Sequence, residues 1–203
     1  MEMKTIKTHR LVGGTALALQ IGRRTSVDID LFSDDKNDYE KIQEELFEIF
    51  GNKFAKGRNI TSSVSKGITV YLNDIKTDIL DWKAKFIRPV LIDEQVRMAS
   101  KEDIIPMKFN TFLCSPEFAR YEKRDYVDIA NLMKEYSLEQ MISLYNEKYP
   151  NELMSSRVMI EGLQLSEMAD KKVMPKMLND ETWEDAKKQI EKSIALFVKK
   201  QLG

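Results

Sequence analysis

The stretch Leu11-Val-Gly-Gly-Thr-Ala-Leu-Ala-Leu-Gln-Ile-Gly-Arg-Arg-Thr-Ser-Val-Asp-Ile-Asp-Leu-Phe32 holds a strand, a glycine bend, a short helix and a second strand in succession. Leu11 and Val12 supply the end of the first strand. Gly13 and Gly14 permit the bend, because a residue without a Cβ reaches backbone conformations closed to others and lets a ligand approach the main chain. Thr15 to Ile21 is made of good helix formers, and Gly22 is placed to end the helix. The N-terminus of such a helix offers unpaired N–H groups and a partial positive charge, which together favour phosphate. On the second strand, side chains alternate between faces, so Asp28 and Asp30 share one face, about 7 Å apart, while Ile29 and Leu31 face the core. Two carboxylates so placed suit hard cations such as Mg²⁺. Cations roughly 4 Å apart can clamp the attacking and leaving oxygens of a phosphoryl displacement. A nucleotide triphosphate would then rest on Gly13, Gly14 and Thr15 and on metal held by Asp28 and Asp30.

A third carboxylate is available downstream. Lys76-Thr-Asp-Ile-Leu-Asp-Trp82 alternates as a strand, and Lys66 to Leu72 reads as its hairpin partner through the turn-forming pair Asn73-Asp74. Lys76, Asp78 and Leu80 share one face of this strand; Ile75, Thr77, Ile79 and Asp81 share the other. Asp78 is placed as the third acid, with Asp81 and Asp74 as rivals that periodicity leaves open. Arg24 is a candidate for bidentate phosphate contact, as is Arg23. Lys76, on the Asp78 face, is another phosphate candidate. Plain surface exposure competes for all three.

The rest of the chain frames these residues. Asp38 to Phe50 has the apolar spacing of an amphipathic helix (Tyr39, Ile42, Leu46, Ile49, Phe50), ended by Gly51. Residues 1–95 are expected to form an α/β core. Residues 96–203 are expected to be helical and packed on it, with the site between. Ser100 with Asp103, and Ser137 with Gln140, read as capping boxes. Pro150 interrupts the helices, and a last helix from about Thr182 carries Trp183, Ala186, Ile190, Ile194, Phe197 and Val198 on one side. The run Arg120, Lys123, Arg124, Asp125, Asp128 is expected to be mostly a solvated face, with Asp125 orienting a basic neighbour. Lys108 is read as a cation reaching the triphosphate.

Composition excludes several classes. The chain has 203 residues, 42% apolar and 32% charged, which is a globular composition. No apolar run approaches the ~20 residues that span a bilayer, no secretory leader is evident, and the expected location is the cytoplasm. One cysteine (Cys114) and one histidine (His9) rule out an intramolecular disulfide and leave a zinc site or Cys/His catalysis improbable; His9 is read as a strand-edge residue. The net charge of −1 argues against a grip on long nucleic acid. Yet from Gly51 to Asn73 there are four basic residues (Lys53, Lys56, Arg58, Lys66) and no acid, and Lys83, Lys85 and Arg88 follow the Asp78 strand. These form either an electrostatic track toward the site or a solvated hairpin edge. Among 11 methionines, those from Met154 to Met177 are read as helical core in preference to a docking face.

The Leu11–Phe32 stretch resembles the nucleotidyltransferase AbiEii/AbiGii toxin family of the polymerase β-like superfamily. Glu102-Asp-Ile-Ile-Pro-Met-Lys108, Lys123-Arg-Asp-Tyr-Val-Asp128, Met174-Pro-Lys-Met177 and Trp183-Glu-Asp are similar to its later motifs, so the resemblance spans nearly the whole chain. It implies an α+β fold: a mixed sheet flanked by helices, then a helical region. It also implies transfer of a nucleotidyl group from an NTP with Mg²⁺ or Mn²⁺, and a role as the toxin of a toxin–antitoxin or phage-defence pair with a cognate antitoxin protein. The acceptor it implies is RNA, with the tRNA 3′ end leading and a protein side chain second. By position, Gly13, Gly14, Asp28, Asp30 and Asp78 match the phosphate- and metal-binding set, and Lys108 and Asp125 match charged positions the family also uses.

The expected chemistry is in-line attack of an acceptor hydroxyl on the α-phosphorus. Asp78 would serve as general base, and positioning and electrostatics would supply most of the acceleration. One alternative is a catalytically weak nucleotide- or partner-binding module of the same fold. Another, a glycosyltransferase using Asp28-Ile-Asp30 for a sugar nucleotide, leaves the Gly-Gly-Thr bend unexplained.

Overall fold

A computed structural model of the chain describes residues 3–62, 65–113 and 120–202; Cys114 lies outside these residues. The chain divides into two compact units, Met1–Leu19 with Ser26–Ser100, and Gln20–Thr25 with Lys101–Gly203.

The first unit is a seven-stranded mixed sheet with two helices. Its elements are β1 (Arg10–Leu11), α1 (Gly13–Ile21, whose last residues fall in the second unit), β2 (Ile29–Ser33), α2 (Tyr39–Phe50), β3 (Phe54–Thr61), β4 (Ser65–Leu72), β5 (Ile75–Trp82), β6 (Leu91–Asp93) and β7 (Val96–Met98). The strand order is β3-β4-β5-β2-β1-β7-β6. The β2–β5 and β1–β7 pairs are parallel, and the others are antiparallel.

Local chemistry explains the main features. Gly22 (φ 68°) lies just past the end of α1 in the left-handed region. Asp38 caps α2 by accepting from the Lys41 amide, and Gly51 ends that helix. Asn73 (φ 50°) and Asp74 (φ 65°) form the two-residue β4–β5 turn, whose twist matches that of the strands it joins. On one face of the sheet Leu31, Ile68, Val70 and Ile79 are buried, with Ile42 and Leu46 of α2 also in the core. Of the predicted α2 stripe, Ile49 is instead exposed.

The second unit is helical: α3 (Lys101–Leu113), α4 (Lys123–Leu132), α5 (Leu138–Lys148), α6 (Ser156–Gln164) and α7 (Trp183–Leu202). The Ser137/Gln140 capping box starts α5. Asp103, expected as a capping acid, is fully buried and ion-paired with Lys148 at 2.8 Å. Trp183, Ala186, Ile190 and Phe197 of α7 are buried, whereas Val198 is exposed. The methionine stretch is mixed, with Met159 buried and Met168 exposed. No helix of the described residues is long and apolar enough to cross a membrane.

His9, at the entry to β1, is buried, and neither ring nitrogen has a hydrogen-bond partner among the described residues. Burial lowers its pKa from the usual histidine value, against the pull of Asp81. The fold therefore favours the neutral ring. As pH falls below about 6.5 the unfolded chain takes up a proton that the folded chain refuses, so stability present above that pH is lost on acidification. Urea midpoints of wild type and His9→Leu, compared from pH 7 to pH 5, are expected to show a shallower loss in the variant.

Candidate active site

The glycine bend and the acids of the sheet unit come together through two backbone facts. First, β2 and β5 pair in parallel with Asp30 opposite Asp78, so adjacent strands set the two carboxylates side by side on one face. Second, Gly13 sits at φ 67° where β1 turns into α1, and a Cβ built there would lie 2.6 Å from Asp30 Oδ2. The missing side chain is the space that the Asp30 carboxylate occupies. The Val12 amide also donates to the Asp30 carbonyl at 2.9 Å. Gly13, Gly14 and Thr15 form the first turn of α1, where backbone N–H groups have no intrahelical acceptor.

Asp28 lies one residue before β2, in phase with Asp30. The Thr15 hydroxyl donates to the Asp28 carbonyl and lies 3.0 Å from the Ser26 hydroxyl. Thr15 therefore tethers the start of the acidic strand to the glycine turn through its side chain.

Asp78 accepts from Thr69 Oγ1 at 2.6 Å and from Lys76 Nζ. Lys76 is thus tied to a carboxylate, not left as an isolated cation. The rival acids lie elsewhere. Asp81 points to the opposite face, where it accepts from Asn37 and the Tyr39 hydroxyl; burial, with Asp81, pushes the Tyr39 phenol well above its ordinary pKa. Asp74 is in the hairpin turn. The grip of Thr69 on Asp78 had a signal in the sequence: a two-residue turn at Asn73-Asp74 sets Thr69 opposite Asp78 and Tyr71 opposite Lys76, as observed.

Among the described residues no group of three or more His, Cys, Asp or Glu side chains is arranged to hold a metal ion. The donor chemistry of Asp28 and Asp30, carboxylate oxygens, suits Mg²⁺ or Mn²⁺. A cation shared by all three acids would have to draw Asp78 away from Lys76.

Arg24 and Lys108 belong to the helical unit. Arg24 makes a two-pronged pair with Asp128, Nε to Oδ1 and Nη2 to Oδ2, each 2.7 Å. Lys108 lies 2.7 Å from both Asp125 Oδ1 and Asp128 Oδ2. All four side chains are buried, so Asp125 and Asp128 are not part of a solvated face, as their charged run had implied. Burial opposes charge at each position, but the partners outweigh it: Asp125 and Asp128 hold the Lys108 pKa above its usual value, Asp128 raises that of Arg24, and Lys108 with Arg120 holds Asp125 below the usual carboxylate range.

Comparison with known proteins agrees with this architecture. The fold is that of a nucleotidyltransferase: the chain superposes on an H. pylori protein solved under the description of a nucleotidyltransferase, with TM-score 0.56 and 19% identity over 95% of this chain and 87% of that one. A second solved structure, JHP933 from Helicobacter pylori, gives TM-score 0.46 and 17% identity over 96% and 90% of the two chains. No curated protein matches the sequence. The family described as "Nucleotidyl transferase AbiEii toxin, Type IV TA system" matches residues 7–197. The chain belongs to this family of nucleotidyltransferase toxins.

Two variants test the geometry by urea denaturation. Gly13→Ala combines a left-handed φ with the clash against Asp30, and a loss of about 1–2 kcal/mol or more is expected. Lys108→Met leaves two buried carboxylates with less positive charge, and a loss of roughly 3 kcal/mol or more is expected.

Proposed function

We propose that this nucleotidyltransferase moves a nucleoside monophosphate from an NTP to an acceptor hydroxyl on RNA, with the 3′ end of tRNA as the leading acceptor, and that it acts in the cytoplasm as the toxin of a pair with a cognate antitoxin. The observation that carries the reading is the lateral pair Asp30–Asp78, with Asp30 seated against the Gly13 bend. Membership of a type IV toxin–antitoxin family supports the toxin role and the antitoxin.

In this reading the triphosphate lies against the first-turn amides of Gly13 and Gly14, which supply hydrogen bonds and the positive end of α1. Asp28 and Asp30 would hold Mg²⁺ or Mn²⁺, which supplies charge neutralisation at the phosphates. The acceptor oxygen bonds to the α-phosphorus, the bond from that phosphorus to the bridging oxygen of the β-phosphate breaks, and pyrophosphate leaves. Asp78 takes the proton of the attacking hydroxyl. Thr69 holds the Asp78 carboxylate in place throughout. The chain's contribution is mainly orientation and fixed charge.

The test is incubation with radiolabelled NTPs, Mg²⁺ or Mn²⁺ and total RNA. Wild type is expected to label a discrete RNA species. Asp30→Ala is expected to fold, with an unchanged circular dichroism spectrum, and to lose labelling by roughly a hundredfold or more. Full labelling by that variant would overturn the assignment.

A further inference from the structure

We propose that Tyr71 and Lys76 form an acceptor subsite, in which the Tyr71 ring stacks on the last base of a single-stranded RNA end whose hydroxyl is delivered to Asp78. The inference rests on the RNA-acceptor reading above and adds the residues that would seat the acceptor. Tyr71 and Lys76 are direct cross-strand partners on β4 and β5, and Thr69 and Asp78 are the next pair on the same face. Tyr71 is therefore the diagonal neighbour of Asp78, roughly 7–8 Å away, a span that one nucleotide covers between its base and its own 3′ hydroxyl.

The exposure of the ring fits the role. Tyr71 is 41% exposed, although it occupies an interior strand of the sheet. Among the described residues it stacks on no other aromatic ring, unlike Phe32, which lies on the same face and stacks on Trp82. An exposed aromatic face beside a cation suits a base with its phosphate, since stacking tolerates any base and the ammonium neutralises the backbone.

The position selects the acceptor over the incoming nucleotide. The glycine turn contacts Asp30 on β2, and the order β4-β5-β2 places Tyr71 two strands away, on the far side of Asp78. A triphosphate on the turn and a base on Tyr71 would thus flank Asp78 from opposite sides. Charge complementarity points the same way. The outer strand β3 carries Arg58, preceded by Lys53, with no acid between Gly51 and Asn73, whereas Lys56, the register partner of the buried Val70, faces the α2 side beside Glu40 and Glu44. β3 also bulges between Lys56 and Asn59, opposite Thr69, and is exposed along most of its length.

The test separates binding from chemistry. A short fluorescein-labelled single-stranded RNA ending in CCA, and separately a non-hydrolysable NTP analogue, are titrated against wild type, Tyr71→Ala, Tyr71→Phe and Lys76→Ala. Expected is a roughly tenfold or larger rise in the RNA Kd for Tyr71→Ala, a near-wild-type value for Tyr71→Phe, which keeps the ring, and a weaker salt dependence for Lys76→Ala. The Kd for the NTP analogue is expected to stay unchanged in both Tyr71 variants. Absence of RNA binding by wild type, equal RNA binding by Tyr71→Ala, or loss confined to the NTP analogue would each overturn the subsite. RNA binding that depends on Tyr71 without any nucleotide transfer would leave the subsite standing and sink the enzymatic reading instead.

Discussion

The candidate site depends on the parallel pairing of β2 with β5. Those strands are far apart in the chain, and their hydrogen bonds set the register that places Asp30 beside Asp78. Side-chain direction alternates along a strand, so a slip of one residue would send one carboxylate to the buried face among Ile79 and Leu31. The apolar face therefore enforces the polar one: Leu31 and Ile79 are themselves register partners, and their burial leaves Asp30 and Asp78 no other side. Gly13 adds the third constraint. Its missing side chain lets the first turn of α1 close on Asp30, which brings a helix N-terminus and a carboxylate to the same spot.

The helical unit is organised by charge as well as by apolar packing. Arg24, Lys108, Asp125 and Asp128 form a buried four-membered network, and Lys148 with Asp103 forms a second buried pair. Desolvating these groups is costly, and only close, well-directed pairing offsets it. Such a network specifies geometry more than it adds stability: Arg24, from the short segment Gln20–Thr25, can satisfy its guanidinium only where Asp128 presents both oxygens. The backbone of the same segment is held too, through the Thr25 amide to Lys176 and the Leu178 amide to Arg23.

The grip of Thr69 and Lys76 on Asp78 gives that acid a defined orientation without a metal.

Much of the sheet unit could be read directly from residues. The bend at Gly13-Gly14, the end of α1 at Gly22, the Asp38–Gly51 limits of α2 and the β4–β5 hairpin all follow from turn and capping chemistry acting over a few residues. The phase of Asp30 and of Asp78, each within its own strand, follows from alternation. Three strands were not legible. β3 contains Gly57, Arg58 and Asn59 and lacks a clean alternation, because it is an exposed edge with a bulge; β6 and β7 are too short to show a period. Burial of Asp125, Asp128 and Lys108 was hidden for a different reason. A charged run normally signals solvent, and only contacts between α3, α4 and the distant Arg24 turn those charges inward. The sequence by itself thus determined the local elements and the face on which each acid lies. Tertiary structure alone decided how β2 pairs with β5, how β1 pairs with β7, and which charges are buried, because those outcomes depend on partners far away in the chain.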